Sequence, residues 1–270
     1  ASALVEGNWD AGIGDFFEEW REEKHVVPDF TPPSHWYRFR SFDWGTAEPF
    51  AVYWWAVSDG ESFKDHSGAL RWFPRGCIIA YREWYGCNPE RQAEGLRYRN
   101  EDIAFGIIQR SPSPEEKHLA TVTDSLPFQD RGGKTIAETF MDCGVPLTLG
   151  DTSRVTGWSQ LRSRLIGIEV DSNDRHRTAM IAFVESCKAA RDYVPTLQRH
   201  PSENKKEDAA EHGEATHSPD AIRLACMARP LVVDAAPPPF DTSKLKTEIT
   251  FEQAFKRHLA VKQRASSGSY

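Results

Sequence analysis

The chain contains no apolar run approaching the roughly 20 residues that a membrane-spanning helix needs, which argues against an integral helical membrane protein. The opening segment, residues 1–7, has neither the basic nor the apolar stretch of a secretory signal. It also starts without an initiator methionine, as expected of an excised domain or a processed chain. Cysteine is sparse. Cys77, Cys87, Cys143, Cys187 and Cys226 form no CxxC pair and are odd in number, so buried thiols in a reduced compartment are expected rather than a disulfide framework or a zinc site. Positive charge is not in excess. With 33 Lys and Arg against 40 Asp and Glu the formal net charge is −7, which disfavours a protein that coats nucleic acid over its whole surface. An acidic cleft loaded with metal and rimmed by local basic groups remains compatible with that balance. A complete phosphate loop is missing too: Gly132-Gly133-Lys134-Thr135 has its tail, but the glycine that the motif needs at position 128 is Phe128. Gly133 then reads as a turn and Thr135 as a helix cap. There is no internal repeat.

What is present is a chain of 270 residues, 39% hydrophobic and 27% charged, the balance of an ordinary globular protein with one large domain or two small ones. Residues 1–34 read as an irregular N-terminal connector closed by Pro28, Pro32 and Pro33, and residues 35–230 as the folded domain. Three runs rich in aromatic and β-branched residues (Trp36–Trp44, Pro49–Val57 and Cys77–Tyr85) are separated by Gly and Asp turn signals, which predicts an antiparallel meander. Beyond them the apolar spacing predicts helices over 100–109, 135–142, 159–166, 188–197 and 219–229, with strands over 119–123, 145–149 and 179–184. Strands first, then alternating strand and helix, predict an α/β fold: a mixed central sheet flanked by helices. The polar stretch 201–213 reads as a mobile loop. Residues 231–270 read as a Pro-rich linker (Pro237-Pro238-Pro239) and a basic tail, a separable arm.

Carboxylates recur where these elements end. Asp43 closes the first strand before Trp44-Gly45, and Asp124 closes the strand over 119–123. In His217-Ser218-Pro219-Asp220, Ser218 reads as a cap, Pro219 as the first helical position and Asp220 as a first-turn acid, with His217 in the loop before it. Singly, each has a plain explanation: a turn for Asp43 and Asp124, the helix dipole for Asp220, a solvated loop for His217. Together they read differently. Carboxylates that folding brings close repel, and need protons or cations between them. The sharper reading is a site for hard divalent cations, with His217 as a ligand or proton carrier. Two ions about 3.5–4 Å apart would clamp the attacking and leaving oxygens of a phosphodiester. Glu83, in Arg82-Glu83-Trp84-Tyr85-Gly86, and Glu214 are alternate acids. Arg154, Arg162 and Arg164 around Trp158, extended by Lys188 and Arg191, read either as a phosphate-contacting surface or as an exposed helix face.

In order and spread these segments resemble the C-terminal nuclease domain of the large terminase subunit of tailed bacteriophages and prophages. The resemblance lies in Val5-Glu6-Gly7-Asn8-Trp9, His35-Trp36-Tyr37, Phe42-Asp43-Trp44-Gly45, Pro49-Phe50-Ala51-Val52, Arg82-Glu83-Trp84-Tyr85-Gly86, Thr135-Ile136-Ala137-Glu138-Thr139-Phe140, Gly157-Trp158-Ser159-Gln160-Leu161-Arg162, His217-Ser218-Pro219-Asp220-Ala221 and the stretch Arg223 to Pro230. It covers about residues 4–230. The resemblance implies a ribonuclease H-like fold and a metal-dependent endonuclease that cuts concatemeric double-stranded DNA with little sequence preference. It places the acidic residues on Asp43, Asp124 and Asp220 and the late histidine on His217, holding two divalent ions, Mg²⁺ or Mn²⁺. The approach to the late motif, Glu214-Ala215-Thr216-His217, departs from the family's Glu-Asp-His. The resemblance further implies a preceding ATPase half, so that this chain has no ATPase activity of its own. The implied partners are double-stranded DNA, portal protein and the small terminase subunit, and the setting is the host bacterial cytoplasm. Another ribonuclease H-like nuclease, such as a junction resolvase or transposase core, and a non-catalytic portal-docking module remain the alternatives.

Overall fold

The computed structural model describes residues 16–130, 132–170, 177–210 and 216–229. The expectations for residues 1–15, for Glu214 and for the arm over 231–270 lie outside the described residues. A short helix, α1 (Glu22–His25), leads directly into strand β1 (Val26–Val27). Strands β2 (Tyr37–Asp43), β3 (Ala51–Val57) and β4 (Ile78–Tyr85) follow, then α2 (Asn100–Gln109), α3 (Pro114–Lys117), β5 (Thr121–Thr123), α4 (Ile136–Asp142), β6 (Leu147–Leu149), α5 (Arg154–Ile166), β7 (Ile181–Val184), α6 (Lys188–Tyr193) and α7 (His217–Ala228). The strands form one seven-stranded sheet in the order β1-β7-β4-β3-β2-β5-β6. β3 pairs antiparallel to both β2 and β4, whereas the other neighbours pair parallel. The meander predicted for the first three long strands is therefore present, and β3 alone runs against the rest.

β3 sits at the centre because its sequence suits no edge. Ala51-Val52-Tyr53-Trp54-Trp55-Ala56 is buried without interruption, the pattern of a strand covered on both faces. A bulge lies where Trp54 faces Arg82 but Trp55 faces Ala80, leaving Tyr81 as the extra residue. On one face Gly106 of α2 meets Trp84; a Cβ there would stand 2.2 Å from the indole. On the other face the Tyr53 hydroxyl meets Ser218 of α7. Helices thus cover both sides. α4 begins at the cap foreseen for it: Thr135 accepts from the Glu138 amide, while the Glu138 carboxylate accepts from the Thr135 amide.

Three expectations need correction. Residues 16–34 are not an irregular connector: Phe16, Phe17 and Phe30 are buried, and β1 extends the sheet by pairing with β7. Proline density masked a two-residue strand too short to show periodicity. α5 starts at Arg154 rather than Ser159 and carries Gly157 inside it, where a Cβ would strike the Arg223 side chain at 2.4 Å. The glycine serves close helix packing there, not a break. The stretch after residue 200 is partly ordered, with a 3₁₀ turn at Glu203–Lys205 and a bridge between Arg199 and Ala209.

Beneath α3 lies a buried ionic network. Glu116 accepts from Arg38 at 3.1 Å, Arg82 at 2.8 Å and the Tyr81 hydroxyl at 2.9 Å. One carboxylate thus joins β2, β4 and α3, and Arg82 also lies over the Trp54 ring. Removing one member of such a network leaves unpaired charge out of water, at a cost of roughly 3–5 kcal/mol. Glu116→Ala should therefore lower unfolding free energy by about that amount, measured by urea titration. A loss below about 1 kcal/mol, the worth of a surface pair, would show that the network does not hold these elements together.

Candidate metal centre

Strand register brings the first two carboxylates together. β2 and β5 are parallel neighbours with Phe42 opposite Thr123. The next residue on each strand is an aspartate: Asp43 ends β2 and Asp124 follows β5. Both chains therefore deliver an acid to the same end of the sheet, where open α/β sheets bind ligands.

Helix α7 supplies the other two residues. Its first turn is tied to β3 by the buried contact between Tyr53 Oη and Ser218 Oγ, 2.6 Å apart. Ser218 is therefore not the cap; the helix begins at His217, with Thr216 before it. His217 consequently lies in the first helical turn rather than in a loop. Its Nδ1 is 2.9 Å from Asp43 Oδ2, and its Nε2 is 3.4 Å from Glu48 Oε2. Asp220, one turn on, faces the same acids and is held by two guanidinium groups. Arg223 Nε and Nη2 each lie 2.9 Å from Oδ1, and Arg154 Nη1 lies 3.3 Å from Oδ1 and 3.5 Å from Oδ2.

The electrostatics bear the marks of crowded acids. Burial pushes the Asp43 carboxyl up to about 6; the His217 hydrogen bond opposes this, and the charges of Asp220 and Asp124 add to it. Burial raises Asp124 as well, against the Leu126 amide that its carboxylate accepts, with Asp220 adding to the rise. Burial opposes protonation of His217, but its bond to Asp43 and the charges of Asp43, Glu48 and Asp220 outweigh that and raise its pKa. Three carboxylates and an imidazole are the donor chemistry of a hard divalent cation. By donor type and common location the residues fit such an ion. As arranged, no group of three or more His, Cys, Asp or Glu among the described residues is ready to hold a metal. In this arrangement His217 engages Asp43, and the two arginines engage Asp220.

Glu83 does not join the site. It is half-buried, accepts from the Ala189 and Ala190 amides at 2.9 and 3.0 Å and from Tyr53 Oη at 2.8 Å, and so anchors the start of α6. Four of the five residues of the expected basic surface are engaged by groups of this chain. Arg164 is buried, 2% exposed, and donates to the carbonyls of Gly76, Met180 and Arg229. Arg162 bonds the Phe16 carbonyl and pairs with Glu19, and Arg191 pairs with Glu22. Arg154 bridges Asp208 and Asp220. Their side chains complete the packing of helices that the sequence showed only as basic. Lys188 alone of the five is exposed. Sequence reasoning missed Glu48, Asp208 and Arg223. For Arg223 a signal existed: it stands three residues after Asp220 on a helix, the spacing of an ion pair.

A carboxyl whose pKa is higher folded than unfolded favours the fold at low pH, and that contribution is lost as pH rises through the folded value. For Asp43 the window runs from the ordinary 3.8 to about 6, and the ionised form is disfavoured by roughly 3 kcal/mol. In chelating buffer, Asp43→Asn should melt several degrees above the parent protein at pH 8, about 5 °C, with the gap closing near pH 4. Melting curves at the two pH values check this; a gap that does not change with pH would show that Asp43 is not a strained carboxylate.

No protein-family model matches the sequence, and no curated protein matches it. Solved structures do. Large terminase from the thermophilic bacteriophage D6E superposes with a TM-score of 0.55 at 13% identity, over 80% of this chain and 45% of that one. The P22 large terminase nuclease domain superposes with a TM-score of 0.53 at 15% identity, over 80% of this chain and 93% of that domain. The chain thus spans less than half the length of the D6E protein but nearly all of the P22 domain. A mixed sheet with one antiparallel strand, helices on both faces and these likenesses together mean that the chain has the ribonuclease H-like fold of the large-terminase nuclease domain.

Proposed function

We propose that this chain is the divalent-metal-dependent endonuclease domain of a DNA-packaging terminase, cutting double-stranded DNA with little sequence preference. One observation carries the reading: in a fold shared with large-terminase nuclease domains, Asp43, Asp124, Asp220 and His217 converge on one end of the sheet from β2, β5 and α7. Asp43, Asp124 and Asp220 would hold the metal, Mg²⁺ or Mn²⁺. When bound, two such ions supply an activated water and charge stabilisation at the leaving oxygen.

The chain's own residues do the rest. His217 fixes the Asp43 carboxylate through Nδ1 and presents Nε2 toward Glu48, a position from which it can hold or pass a proton. Arg223 holds one oxygen of Asp220 in place. Contacts to phosphate rather than to base edges carry no sequence information, and of the five basic residues considered above Lys188 is the exposed one that could make them. By the same likeness the chain would act on duplex DNA beside an ATPase domain of a longer polypeptide, with portal protein and a small terminase subunit, in the cytoplasm of the bacterial host. No helix among the described residues is long and apolar enough to cross a membrane.

The experiment is digestion of supercoiled plasmid with Mg²⁺, Mn²⁺ or excess chelator. Nicked and linear products should form with either ion and disappear with chelator. Asp220→Ala should reduce the rate below detection, and His217→Ala should reduce it by about 10²-fold, the scale of one proton-transfer group, with loss of the rate inflection above pH 6.5. Cutting that survives the chelator, or an Asp220→Ala protein that cuts at the parental rate, would overturn the reading.

A further inference from the structure

The two arginines on Asp220 are not equivalent. Arg223 comes from the same helix, three residues on, and places both Nε and Nη2 on Oδ1 at 2.9 Å. Its Nη1 donates to the Thr152 carbonyl at 3.2 Å, and its stem fills the space left by Gly157. It is only 5% exposed, so it is built in. Arg154 comes from the first turn of α5 and reaches Asp220 at 3.3 and 3.5 Å, longer than a well-formed charged pair. Among the described residues, that long contact is the hydrogen bond that Asp220 Oδ2 has. Arg154 also holds a second anchor: Nε lies 3.1 and 3.3 Å from the two oxygens of Asp208, and the guanidinium lies over the Trp158 ring at 5.4 Å. Asp208 is itself fixed by the Trp158 indole at 2.7 Å and the Ala209 amide at 2.8 Å. Arg154 can therefore release Asp220 without losing its ion pair, and its side chain is 30% exposed.

We propose that Arg154 is the internal counter-cation of this acidic end of the sheet, and that a divalent ion gains the Oδ2 oxygen of Asp220 by displacing it. Arg223 stays and orients Asp220 through Oδ1, whereas Arg154 swings back onto Asp208. The inference rests on the metal-site reading above and adds to it a named residue that competes with the ion. The guanidinium stands in for the cation's charge, at a contact long enough to exchange. Binding that must first break an internal pair is weakened by the stability of that pair.

The test is calorimetric titration of Mn²⁺ into the full chain, without DNA. Arg154→Gln should bind Mn²⁺ about tenfold more tightly than the parent, a coupling of ordinary size, and Arg154→Lys should lie between them because it keeps the charge but loses the fork. The melting temperature of Arg154→Gln should fall below the parent's in chelator and recover to the parental value with Mn²⁺. On an Asp220→Asn background the gain from Arg154→Gln should vanish, which a general effect on folding would not produce. If the parent binds Mn²⁺ and Arg154→Gln binds equally or less well, the counter-cation role is wrong while the metal site stands. If neither protein binds Mn²⁺, both readings fail.

Discussion

Carboxylates drawn together and partly out of water repel one another and lose hydration, and the surroundings of this site are organised around that cost. Asp43, Asp124 and Asp220 cannot avoid each other, because strand register and the docking of α7 fix all three backbones. Each is met by a different device. Asp43 has the imidazole of His217, Asp124 the Leu126 amide, and Asp220 the two arginines. The relief is incomplete, since the Asp43 carboxyl still sits near 6. Protein groups thus make the cluster tolerable without neutralising it, the state in which an added cation has most to gain.

The position of α7 depends on a line of buried polar contacts rather than on apolar packing alone. Glu83 on β4 receives the first amides of α6 and the Tyr53 hydroxyl, and Tyr53 meets Ser218 beside His217. Apolar contacts tolerate small slides; hydrogen bonds between buried groups do not, because a broken one leaves an unpaired group out of water. Glu83 therefore bears on the geometry of the site without belonging to it. The opposite face of the sheet shows the same economy in the Glu116 network, which joins β2, β4 and α3 far from any candidate chemistry.

How far the sequence disclosed this structure follows from which signals are local. β2, β3 and α2 were legible because aromatic runs, turn residues and apolar spacing are carried by neighbours in the chain; α2 falls on the predicted residues 100–109. Asp43, Asp124 and Asp220 were legible as acids at element ends, a recurrence that already suggested a shared cation site, and the family resemblance pointed to the same residues. What a charged side chain would meet was not legible. Arg164 and Arg162 look like surface charge in sequence, yet one is buried on carbonyls and the other is closed by Glu19 and Phe16. Partners as far as 146 residues away leave no local trace. The short strand β1 was hidden for another reason: two residues carry no period.

Glu48 shows how topology alone can add a group to a site. β3 runs antiparallel to β2, so the connection between them must turn at the end where Asp43 emerges, and the loop over 44–50 must lie beside the acids. The loop is also held close. A Cβ on Gly45 would stand 2.4 Å from the Pro49 carbonyl, and one on Gly95 would stand 2.2 Å from the Glu48 carbonyl and 2.3 Å from that of Thr46. Amides of Gly95 and Arg97 donate to Ala47 and Thr46, pinning the loop from the neighbouring ribbon, Cys87–Asn88 with Arg91–Gly95. Glu48 is thereby presented to His217 Nε2 at 3.4 Å with its side chain 76% exposed. The carboxylate that faces the imidazole from outside is thus fixed by backbone geometry and still open to water. Asp43, on the inner side of the same ring, is only 14% exposed. His217 therefore stands between a buried acid and a solvated one, and any proton it exchanges with the surroundings has its open side at Nε2, past Glu48.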